Sequence, residues 1–203
     1  MAITTYAELQ AAIADFLNRD DLTSAIPTFI SMAEAQMDRE IRHWRQEKRV
    51  ETTLNERYEN LPNDFLEAIE LSTDNDTRLT LISIADMQDK KELTTTSTKP
   101  LYYRFTADQI EFFPAPNAAS TSTLSMQYYA RTPALSVSNT SNWILAYYPD
   151  AYLYGSLVHS APYLGEDQRI TVWASMYQNA INGLRSDNKA AKHGGPLKMG
   201  VPR

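Results

Sequence analysis

Hydrophobic side chains recur at helical spacing near both ends of the chain and alternate in its middle. Leu9, Ile13, Phe16 and Leu17 fall at i, i+4, i+7 and i+8, and Thr5 with Glu8 three positions on forms a capping box. The spacing predicts a helix over residues 5–18, which the segment NRDDLTS then breaks. Ile26, Phe29, Ile30, Ala33, Met37, Ile41 and Trp44 keep the same period over 26–45, with Pro27 in a first turn where its missing N–H costs nothing. Glu34, Asp38, Glu40, Arg42 and Arg45 charge the opposite face, so the two helices are expected to pair as an antiparallel hairpin.

From Lys48 the period drops to two. KRVETTL reads as a strand and ENLPND as a turn; LEAIELS and TRLTLIS read as a hairpin around Thr73-Asp74-Asn75-Asp76. Ser83 and Asp86 cap a short helix through Lys91, LYYRF and QIEFFP form a second hairpin around Ala107-Asp108, and TLSMQYYA is a longer strand. Helical spacing returns over 150–164 (Ala151, Tyr154, Leu157, Val158, Ala161) and over 167–184 (Ile170, Trp173, Ala174, Tyr177, Ile181, Leu184). This order predicts an α+β fold. Its terminal helices form a four-helix bundle with an inserted antiparallel β block of about six strands over 48–130, all in a single domain of residues 1–184. Ser186-Asp187-Asn188 favours a break after Leu184 and Gly194-Gly195-Pro196 an extended path, so residues 185–203 are expected to be an extended arm.

Composition narrows the chemistry. The 203 residues include no cysteine, which excludes a disulfide framework, a thiolate metal site and a cysteine nucleophile. His43, His159 and His193 are too dispersed in sequence to predict a metal site, and six glycines leave little supply for phosphate-cradling loops. No apolar run approaches the ~18 residues of a membrane span, and MAITTYAELQ lacks the features of a secretory signal. A soluble protein of a reducing compartment, with no membrane partner and no cofactor, is expected. The net charge of −6 hides an asymmetry: residues 185–203 carry five basic groups and one acid, leaving 1–184 at −10. An acidic body with a basic arm is not the electrostatic footprint of a duplex-DNA binder.

No catalytic residue stands out. Ser156 and His159 lie three apart on one predicted helix, yet YGSLVHS has no nucleophile-elbow pattern. Acidic pairs are plentiful, but nothing places two across one cleft. His43 with Trp44 could stack on a base, though a half-buried helix end accounts for both. The twelve tyrosines are a clear excess, paired in Tyr102-Tyr103, Tyr128-Tyr129 and Tyr147-Tyr148 and joined by Tyr152 and Tyr154. Tyrosine buries area with little loss of entropy and keeps a polar handle, so the excess points to interfaces. Three polar loops, 94–100, 114–121 and 131–142, are too long for tight hairpins and are candidate binding segments.

YYRFTADQIEFFPAP (102–116), LSMQYYARTPALS (124–136) and NWILAYYPDAYLYGSLVHSAPYLGEDQRITVWASMYQNAINGL (142–184), with LPNDFLEAIEL (61–71), resemble the head–tail adaptor, or head-completion, proteins of short-tailed phages. These include the T7-like tail tubular gatekeeper and P22-like adaptor groups. The resemblance implies a structural virion protein, not an enzyme, assembled in the host cytoplasm into a ring of twelve copies at the neck. Its implied partners are the portal protein above, tail nozzle or fibre proteins below, and DNA that passes through without specific binding. It also implies that the C-terminal segment grips the portal, which makes Lys189, Lys192, Leu197, Lys198, Met199, Val201 and Arg203 portal-binding candidates. Tyr102, Tyr103, Pro116, Asn117, Tyr128, Tyr129, Pro133, Leu135, Tyr147 and Tyr148 are candidates for subunit and tail interfaces. A virion-associated cell-wall hydrolase and a tail-tube or terminator component remain as alternatives.

Overall fold

The computed structural model describes residues 2–74, 77–93, 99–116, 122–165 and 168–193. In chain order the elements begin with α1 (Tyr6–Leu17), α2 (Ile26–Glu40), β1 (Glu47–Leu54), β2 (Tyr58–Asn60) and β3 (Phe65–Thr73). Next come β4 (Thr77–Arg78), β5 (Thr80–Leu81), α3 (Ile84–Leu93), β6 (Tyr102–Thr106), β7 (Gln109–Phe113) and β8 (Ser122–Ala130). The chain closes with α4 (Trp143–Tyr147), α5 (Pro149–His159), α6 (Ala161–Leu164) and α7 (Arg169–His193). The fold is α+β, and it divides into two compact units: residues 1–45 with 132–203, and residues 46–131. The residues expected to form one domain, 1–184, fall across both units.

In the helical unit α1 starts as its capping box predicts. The Thr5 hydroxyl accepts from the Glu8 N–H at 3.3 Å, while the Glu8 carboxylate accepts from the N–H groups of Thr4 and Thr5. α2 ends earlier than its hydrophobic stripe. Ile41 turns extended (φ −102, ψ 128) and the Arg42 guanidinium donates to the carbonyls of Asp38 and Ile41, satisfying acceptors the helix end leaves open. Trp44–Gln46 then form an isolated 3-10 turn. Leu9, Ile13, Phe29, Ala33, Met37, Ala151, Leu157, Trp173, Tyr177, Ile181 and Leu184 bring α1, α2, α5 and α7 onto one core. Gly155 lets them close up, since a Cβ there would lie 3.1 Å from the Tyr177 ring and 3.3 Å from Ala33.

The expected break after Leu184 does not occur: α7 runs to His193, a 25-residue helix about 37 Å long at 1.5 Å per residue. Serine, aspartate and asparagine cost a helix only ~0.7 kcal/mol each at most. Here tertiary bonds offset that cost. The Tyr148 hydroxyl donates to Asp187 at 2.6 Å, Asn188 donates to the Arg42 carbonyl and accepts from the Trp44 N–H, and Arg185 donates to the Glu40 carbonyl. Residues 194–203, the remainder of the expected arm, lie outside the described residues.

Among the described residues the strand unit holds eight strands in two four-stranded sheets, ordered β1-β8-β3-β4 and β2-β7-β6-β5, where one block of about six was expected. β8 is central to the first sheet and strictly alternating in burial. The segment predicted as one strand, TRLTLIS, is divided. β4 pairs with β3, Leu79 is buried, and β5 crosses to pair with β6 in parallel, against the all-antiparallel expectation. Leu54, Leu71, Leu124 and Met126 of the first sheet share a core with Tyr103, Ile110 and Phe112 of the second. The Ala107-Asp108 turn forms as predicted, with Ala107 in the left-handed region (φ 51).

Candidate interaction surface

Burial sorts the predicted interface residues. Tyr103, Pro116, Tyr128 and Leu135 are buried within the chain. Tyr102, Tyr129 and Tyr148 are half-buried, Pro133 and Tyr147 are exposed, and Asn117 lies outside the described residues. Lys189 and Lys192 sit on the exposed last turns of α7, whereas Leu197, Lys198, Met199, Val201 and Arg203 lie outside the described residues. Of the three candidate loops, 94–98 and 117–121 fall outside them as well. The third, 131–142, is pinned down. Leu135 N–H donates to Glu34 at 2.7 Å, and the Asn139 and Asn142 side chains donate to the carbonyls of Ala134 and Pro133.

The tyrosine excess is in large part internal. Tyr152 donates to Glu34, Tyr177 to Glu40, Tyr148 to Asp187 and Tyr128 to Asp64. Burial, then the neighbouring carboxylate, pushes the hydroxyls of Tyr128 and Tyr148 up to about 12 and those of Tyr152 and Tyr177 higher still. Each is a neutral donor holding an acid at a junction between chain segments distant in sequence. Composition alone cannot separate this use of tyrosine from a surface one.

Two polar clusters escaped sequence reasoning. Glu111 on β7 is 1% exposed and receives Arg57, Arg104 and Lys91, the last reaching from α3 at 3.0 Å. Burial alone would raise its carboxyl, but the three cations hold it down at about 2. The alternation of QIEFF placed Glu111 on the face opposite Ile110 and Phe112; that three cations from separate elements cover that face left no local signal.

The other cluster forms where α2 and α7 both end. Arg39, Arg42, Arg45, Arg185, Lys189 and Lys192 stand there against Asp38, Glu40 and Asp187, a basic pole on an acidic chain. Helix C-termini favour such cations. Trp44 (41% exposed) and Tyr147 (59% exposed) sandwich the Arg45 guanidinium, which lies 4.4 Å and 4.0 Å from their ring centres. Beneath them His43 is fully buried, stacked at 4.8 Å on Trp143, so it cannot stack on a base. Trp, Tyr and Arg are the residue types that carry most binding energy at protein interfaces.

A model of the SU10 adaptor protein family matches residues 4–200. The chain belongs to that family. The match spans both units of this SU10-type adaptor and continues beyond α7. Comparison with curated proteins finds no match. In an adaptor the surfaces that meet other proteins carry the function, which brings the basic pole forward. Ser156, by contrast, is fully buried, and His159 is bonded at 2.9 Å to Gln36, with burial and then Arg39 lowering its pKa. Among the described residues no three His, Asp or Glu side chains gather as a metal-binding set, and no helix is long and apolar enough to cross a membrane.

Proposed function

We propose that this adaptor is a structural virion protein of the neck, forming a ring of about twelve copies beneath the portal that prolongs the DNA channel and docks the tail. The observation that carries the reading is the family match over residues 4–200. Its place among T7-like and P22-like adaptors of short-tailed phages is part of the proposal, as is assembly in the host cytoplasm. Charge supports it. Residues 1–184 carry −10, and many such copies around a lumen repel a DNA backbone and let it slide.

The C-terminal turns of α7, not the whole basic pole, face the portal in this reading. Lys189 and Lys192 are presented by a rigid helix, and Leu197, Lys198, Met199, Val201 and Arg203 follow His193 in sequence to fill portal pockets and meet acidic rims. Portal templates the ring, so the free chain is a monomer at micromolar concentration. Electron microscopy of purified portal with and without the chain tests this. An added ring of density on one face of the portal, lost on truncation after His193, is the expected result. A chain that sediments as a twelve-mer alone, or that leaves portal bare, overturns it.

A further inference from the structure

Two features of the helical unit are complementary, and among the described residues neither has an oppositely charged partner. The first is Arg45, which lies over the rings of Trp44 and Tyr147 just beyond the C-terminal end of α2; among the described residues no carboxylate accepts from its guanidinium. The second is an open notch of about 550 Å³ on α1, lined by Ile3, Ala11, Ala12, Asp15, Phe16 and Leu153. Phe16 is 43% exposed there, and among the described residues no side-chain donor reaches Asp15. α1 leads through residues 18–25 into the N-terminal end of α2, so stack and notch sit at different ends of the unit.

We propose that the Trp44–Arg45–Tyr147 stack of one copy docks in the Asp15 notch of a second copy of this chain. The Arg45 guanidinium then meets the Asp15 carboxylate while the aromatic rings cover Phe16 and the two alanines. An arginine already fixed by two rings loses little further freedom on binding, which favours it as an anchor. Charge selects the occupant: the stack belongs to a basic pole, and residues 1–184 of another copy carry −10, with an acid in an otherwise apolar notch that no cation among the described residues meets. Because the two surfaces differ, the contact is head-to-tail. It leaves one stack and one notch free at each step and propagates until the rotation closes. The pairing rests on the ring reading only for that closure.

The absence of cysteine makes cross-linking clean. A chain carrying both Ala11→Cys beside the notch and Ala146→Cys beside the stack, with Asp15 and Arg45 left in place, concentrated and treated with a short bis-maleimide, is expected to give a ladder of oligomers beyond the dimer. Either single substitution alone gives background only. Adding Trp44→Ala and Tyr147→Ala reduces the ladder by about tenfold, the loss typical of removing interface anchors. Unchanged circular dichroism certifies the fold of each variant, as all four positions are at the surface. No ladder, or dimers from the single variants as strong as from the double, overturns the pairing. In particles, Arg45→Asp is expected to empty the neck of this protein and Arg45→Asp with Asp15→Arg to restore it. A full ring in the Arg45→Asp particle overturns the pairing and leaves the ring reading standing. Wild-type particles with no ring at the portal overturn the ring reading, and the ladder still decides the pairing.

Discussion

Each unit takes an acid out of water, half-buried in the helical unit and fully buried in the strand unit, and each treats it in the opposite way. In the helical unit Glu34 is met by neutral donors, the Leu135 N–H and the Tyr152 hydroxyl; burial dominates and its pKa rises. In the strand unit Glu111 is met by three cations and its pKa falls to about 2 despite deeper burial. The difference teaches that burial does not set the state of a carboxylate; the charge of its donors does. The helical unit joins distant segments with tyrosine and asparagine hydrogen bonds, the strand unit with ion pairs such as Arg57–Glu111, Lys48–Asp64 and Arg78–Glu70.

Replacing the clamped acid is the harshest way to break this comparison. Glu111→Gln strands three partly buried cations and is expected to cost about 3 kcal/mol, the low end for a broken buried pair because the cations keep some solvent. The folded pKa is depressed, so the wild-type advantage is complete above the ordinary value of 4.5 and fades as pH falls toward about 2. Urea unfolding of both proteins between pH 7 and pH 2.5 reads this; a constant gap across that range contradicts the clamp.

Tyr152→Phe tests the other unit at about 2 kcal/mol, since it removes a donor from a half-buried carboxylate and the partner of Asn142. Glu34 already has a raised pKa, and losing the hydroxyl raises it further. That deficit therefore fades as pH falls in a window above 4.5, whereas the Glu111 deficit fades below it. Carboxyl chemical shifts of Glu34 against pH give the direction, and a downward move contradicts the assignment.

Asn188→Ala is smaller, about 1 kcal/mol, because it removes two bonds at the meeting of α2 and α7 while alanine returns a few tenths in helix propensity. Amide exchange should quicken over 185–193 and stay unchanged in the strand unit. Smallest is Ala107→Gly in the β6–β7 turn. Relief of a left-handed alanine, worth roughly 1 kcal/mol, is largely offset by the entropy of glycine, for a net gain of about 0.5 kcal/mol in thermal unfolding.

Local signals in the chain read true wherever one segment decided the outcome. The Thr5–Glu8 capping box, the Ser83–Asp86 cap of α3, the alternation through β8 and the Ala107-Asp108 turn all form from residues a few positions apart. So did the α+β order of helices, strands and helices. The aromatic and proline spacing over 102–184 carried the likeness to phage adaptors, and the chain proved to belong to an adaptor family.

Tertiary structure decided what local pattern leaves open. Ser186-Asp187-Asn188 is a weak helix segment on its own, yet Tyr148, Arg42 and Trp44, at least 39 residues away, make it the anchor of α7. TRLTLIS alternates as one strand, but two sheets each claim two of its residues, because a backbone edge pairs with whichever neighbour packing brings near. Tyr103 and Tyr128 read as surface handles and are core. Periodicity records where a side chain points along its own element, a matter of backbone geometry within a few residues. Whether that direction meets solvent, a ring or a carboxylate depends on segments that chain folding brings together, and the Arg45 stack and the Glu111 clamp are both of that kind.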